Sequence, residues 1–124
     1  MTVDEFNIFC GSFPQATSVV QWGGAHVWKI SGKVFAIGGW SDRDQMGVTF
    51  KCSPETFRRL PGVPGMRPAP YLASRGMTWL QWTGPQSVSL EELREHLWES
   101  YRLVGSKLTK AQRLKLGTDA DVFE

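Results

Sequence analysis

The residues that offer chemistry most readily lie in one segment. Lys51, Arg58, Arg59, Arg67 and Arg75 stand against the single acid Glu55, and Tyr71 sits among them. Clustered lysines and arginines neutralise phosphates and release counterions, which supplies sequence-independent affinity for nucleic acid. An aromatic face such as Tyr71 or Trp79 stacks on a base whatever its identity. The segment also restricts its own geometry. Pro61, Pro64, Pro68 and Pro70 fix φ and extend their predecessors, while Gly62, Gly65 and Gly76 allow turns. A stiff loop has less entropy to lose on binding. We therefore take Lys51, Arg58, Arg59, Arg67, Tyr71 and Arg75 as the candidate contact surface, with DNA or RNA as the expected partner. The competing reading is an ordinary basic face, with Tyr71 and Trp79 in the core and Arg67 bonded to loop carbonyls.

Other chemistry has thinner support. His26 falls in a strand pattern and His96 on an acidic helix, with no nucleophile placed beside either. Cys10 and Cys52 are far apart and in no paired spacing, which argues against a disulfide framework or a zinc site. Cys52 precedes a helix start, where a thiolate is favoured, but a free cysteine is more often a small buried hydrophobe. Gly23-Gly24 and Gly38-Gly39 lack the lysine, serine and helix that a phosphate loop needs. Glu91, Glu92, Glu95 and Glu99 read as a solvated helix face rather than convergent ligands. The expectation is a binding protein without catalytic residues, metal or cofactor.

The elements that position these residues follow from pattern. A chain of 124 residues with six tryptophans can bury a core as one domain, expected over residues 1–117 with a loose acidic tail at 118–124. The net charge of +2 implies little about partners. Thr2 and Glu5 form a capping box ahead of Phe6, Phe9, Cys10 and Phe13 at helical spacing. Val19–Trp22, His26–Ile30, Lys33–Ile37 and Gly47–Lys51 read as strands of an antiparallel meander, with Ser31-Gly32 as a hairpin turn and residues 41–45 in a later turn. Ser53 and Pro54 start a short helix. Met77–Trp82 reads as a fifth strand, with either face a candidate for burial. Ser89 and Glu92 cap a long helix striped by Leu90, Leu93, Leu97, Tyr101, Val104 and Leu108. Thr109 to Gln112 caps a short one that Gly117 stops. No apolar run approaches the ~18 residues of a membrane span, and the start reads as a polar helix rather than a signal peptide. The expected location is the cytoplasm.

Lys51-Cys52-Ser53-Pro54-Glu55, Pro61-Gly62-Val63, Arg67-Pro68-Ala69-Pro70-Tyr71-Leu72, Trp79, Ser100-Tyr101-Arg102-Leu103-Val104 and Lys107-Leu108 occur in an order that resembles the MmcQ/YjbR family. Gly32-Lys33-Val34-Phe35-Ala36 resembles it too. The likeness runs from about Thr2 to Lys110. It implies a small bacterial α+β domain of secretion-chaperone-like fold, an antiparallel sheet of about five strands backed by helices, and the DNA-binding label common in that family. Val63-Pro64-Gly65-Met66 departs from the pattern. So does Trp22-Gly23-Gly24, and the tail has no counterpart. The alternative function is a non-enzymatic protein-interaction or chaperone-like adaptor. An exposed patch built from Trp28, Trp40 or Trp98 would favour that alternative.

Overall fold

The computed structural model describes residues 1–40, 46–72 and 77–116. Helix α1 (Val3–Gly11) begins at the expected capping box: Thr2 Oγ1 accepts from Glu5 N, and Glu5 reaches back to Thr2 N. Strands β1 (Ala16–Gln21), β2 (Ala25–Ile30), β3 (Lys33–Gly38) and β4 (Val48–Lys51) follow as an antiparallel meander. Ser31 and Gly32 both take positive φ between β2 and β3, as a tight hairpin requires. Ser53 caps α2 (Pro54–Arg59), whose first residue is the proline. Strands β5 (Met66–Pro68) and β6 (Trp79–Trp82) come next, then α3 (Leu90–Ser106) from the Ser89–Glu92 capping box and α4 (Lys110–Leu116).

Among the described residues the sheet has six strands in the order β1-β2-β3-β4-β6-β5, one more than the sequence suggests. The additional strand lies inside the proline-rich segment. Prolines extend the residues before them, and an edge strand tolerates a missing amide where an interior strand does not. Adding β5 makes β6 an interior strand, so Trp79, Leu80, Gln81 and Trp82 are all buried. The choice between its two faces disappears, because both are covered.

Directly paired residues in antiparallel strands point to the same side of the sheet. One row, Ser18–Trp28–Ala36–Phe50–Leu80–Pro68, faces the helices. The next, Val19–Val27–Ile37–Thr49–Gln81–Arg67, faces away from them. The helix side holds the main core, where Phe13 packs against Phe9, Phe35, Trp98 and Tyr101 at ring-centroid distances of 5.0–5.7 Å. Two polar residues of α3 tie it to the sheet. Buried Ser100 donates to Phe35 O (2.6 Å) and accepts from Lys51 N (2.8 Å). Tyr101 Oη donates to Pro14 O at 2.6 Å. The other side, helix-free among the described residues, has a smaller cluster, Ala25, Val27 and Ile37, covered by Val34, Trp40 and Leu72. Among the described residues no helix is long and apolar enough to cross a membrane. The expected turn at residues 41–45 and the tail at 118–124 lie outside the described residues.

Candidate ligand-binding cleft

The helix-free face is organised by Gln81. Its position on interior strand β6 leaves it fully buried, so its amide must find partners within the protein. Oε1 accepts from Arg67 Nε at 2.7 Å, and Nε2 donates to Gly39 O (3.2 Å) and Trp40 O (3.1 Å). The approach is close enough that a Cβ on Gly47 would fall 2.5 Å from Nε2, so glycine is required there. Arg67 is thereby joined through one side chain to the turn that carries Trp40.

Trp40 is one of three aromatics gathered on this face. Its ring lies 5.7 Å from that of Trp22 and 5.5 Å, edge on, from that of Tyr71, and its Nε1 donates to Trp22 O. All three residues have positive φ: 54° at Trp22, 62° at Trp40 and 69° at Tyr71. Bulky residues rarely occupy this region, and each such residue costs of order 1–3 kcal/mol. Such outliers concentrate where function demands them. Two of the rings are not hidden in exchange, Tyr71 being 71% exposed and Trp22 50%, while Trp40 is half-buried. With Leu72 the three line a cavity of about 520 Å³.

A second cavity, of about 360 Å³, shares Trp22 and Leu72 with the first. It is also lined by Val34, Met77, Trp79, Val104 and Leu108, and by Lys33, Lys51 and Lys107. The helical repeat sets Ser100, Val104, Lys107 and Leu108 along one stripe of α3 and the turn after it. Ser100 holds the backbone of Lys51, and Lys107 lies further along that stripe beside the Lys51 ammonium. Burial holds Lys51 below the ordinary lysine range, and the charge and hydrogen bonding of Lys107 lower it further.

The structure brings some of the expected contact residues together and separates others. Tyr71, Arg67 and Lys51 belong to the helix-free side or its rim. Tyr71 is exposed, whereas Trp79 is buried, so only Tyr71 offers its face. Arg67 is half-buried on β5 rather than held out on a loop. Arg58 and Arg59 are exposed on α2, and Arg59 acts electrostatically on His96 of α3, which places it on the helix side. Arg75 lies outside the described residues. Trp22 and Trp40 were missed as members of a shared site. The available signal was the placing of each beside a glycine pair, where the backbone turns through positive φ.

The other candidates have structural partners. Cys52 is buried, its Sγ directed at Thr78 O (3.6 Å), and burial pushes its thiol up to about 11. Burial also raises Cys10. His26 Nδ1 meets Asn7 Nδ2 at 3.3 Å, and Asn7 Oδ1 accepts from Trp28 Nε1 at 2.9 Å, so Trp28 is buried rather than part of a patch. Among the described residues no group of three or more His, Cys, Asp or Glu could hold a metal.

Comparison with known proteins gives the family. No curated protein matches. A crystal structure of Deinococcus radiodurans protein DR2400, described with the domain DUF419, is similar with a TM-score of 0.81 and 26% identity, covering 96% of this chain and 90% of that one. The YjbR family model matches residues 11–103, from the end of α1 through most of α3, including the whole sheet and both lysine-bearing strands of the cleft. The chain belongs to the YjbR family.

Proposed function

We propose that this YjbR-family protein binds single-stranded nucleic acid across the helix-free face of its sheet. The observation that carries the reading is the trio Trp22, Trp40 and Tyr71, held at positive φ, with the Trp22 and Tyr71 rings exposed, Trp40 half-buried between them, and Arg67 and Lys51 alongside. Stacking a base on an aromatic ring contributes ~1–3 kcal/mol and tolerates any base. The neighbouring cations supply the phosphate term. Arg58 and Arg59 lie on another side, so this reading assigns them no part in the same contact.

The test is a titration of labelled single-stranded DNA and RNA at several salt concentrations, with duplex DNA as comparison. Affinity is expected to fall as salt rises. Arg67→Ala is expected to reduce the slope of log K against log salt by about one. Absence of binding to either strand type at low salt would end the proposal. A second reading, a protein-binding role, has one specific observation in its favour. Among the described residues strand β1 is an open sheet edge, on which Val19 and Val20 are 41% and 60% exposed. A partner strand added there would protect the outward β1 amides from hydrogen exchange.

A further inference from the structure

We propose that the cavity between the end of α3 and the start of β6 binds a small amphipathic anion, with a carboxylate or phosphate head held by Lys51 and Lys107 and a short acyl chain or single ring in its apolar interior. The volume, about 360 Å³, lies in the range of small-ligand pockets, ~300–1,000 Å³. Val34, Leu72, Met77, Trp79, Val104 and Leu108 make an apolar body, and the polar groups collect as lysines at its rim. That division matches a ligand with one charged end.

Charge complementarity specifies the sign. None of the described residues lining the cavity is acidic, and among the described residues none of Lys33, Lys51 and Lys107 has a carboxylate partner. Lys107 repels the Lys51 ammonium, which its own partial burial already disfavours, and an anion between the two relieves both costs. Trp79 also lines the cavity; its Nε1 is buried with no hydrogen-bond partner among the described residues, and an orphaned buried donor costs ~1–3 kcal/mol.

The inference does not rest on the nucleic-acid reading, because Tyr71 lines only the neighbouring cavity. Calorimetric titration of the full chain with octanoate, octyl phosphate and neutral octanamide tests it. At least one of the two anions is expected to bind at one per chain and about tenfold more tightly than octanamide, the scale of a charge-assisted hydrogen bond. The tighter anion assigns the head group. Lys51→Met and Lys107→Gln are each expected to remove most of that preference while leaving octanamide unchanged. Tyr71→Ala is expected to leave all three ligands unaffected. Equal binding of anions and amide, no binding of either anion, or a preference that survives both lysine substitutions would overturn the proposal. Lys107 is exposed, so its substitution keeps the test informative if Lys51→Met weakens the fold.

Discussion

Gln81 shows how one side chain can decide whether a surface exists. It joins Arg67 to the Gly39–Trp40 turn. Gln81→Leu would keep the volume but leave two carbonyls and a guanidinium N–H without this partner. Such groups cost ~1–3 kcal/mol each where water cannot reach them. Urea denaturation is expected to show a loss of about 2–4 kcal/mol, with Trp40 fluorescence shifting before global unfolding. Tyr71 makes the converse prediction. Tyr71→Asn removes an exposed ring and installs a residue that tolerates positive φ. Thermal stability is expected to hold or rise, while affinity for single strands drops by the stacking contribution of ~1–3 kcal/mol. The sequence already offers Tyr71 as a stacking face, but the role of Gln81 is not legible there. A glutamine between Leu80 and Trp82 looks like the solvent side of an alternating strand. Only the insertion of β6 between β4 and β5 buries it, and that strand order has no local signature.

At the scale of elements, the long helix was the most legible part. Ser89 and Glu92 announce its start, and the apolar stripe predicts the buried set Leu93, Leu97, Tyr101, Val104 and Leu108. Its acidic side carries a less visible feature. His96 stacks on Phe50 at 5.1 Å, and burial holds its pKa below the usual 6.5. Glu92, Glu95 and Glu99 oppose that shift and Arg59 adds to it. The unfolded chain therefore binds a proton more readily than the folded one. Stability should rise with pH up to about 6.5 and fall as pH drops below it. Urea midpoints between pH 5 and 7.5 are expected to show this slope, and His96→Gln to flatten it. Strand β5 was illegible for a different reason. Prolines at 64, 68 and 70 argue against a strand by every local rule, and only an edge position makes three residues of one acceptable.

For the whole molecule, the two sheet edges are unequal. Strand β5 is short and ends in Pro68, which blunts it. Strand β1 runs six residues, Ala-Thr-Ser-Val-Val-Gln, without charge or proline. Such an edge recruits other strands. Val20→Lys is expected to lower any concentration-dependent self-association seen in sedimentation, with little effect on thermal stability because Val20 is 60% exposed. The α+β class and the meander were readable from periodicity and turn residues, while the cleft was not. Its members come from distant points in the chain and meet only through the register of the completed sheet.

The bond from Tyr101 to Pro14 spans 87 positions, and that from Ser100 to Phe35 spans 65. A nascent polypeptide emerging from the ribosome can thus lay down its hairpins early, yet it has no cover for Phe13 and Phe35 until α3 arrives. Until then those rings face water, and that is the interval in which a holding chaperone would find this chain.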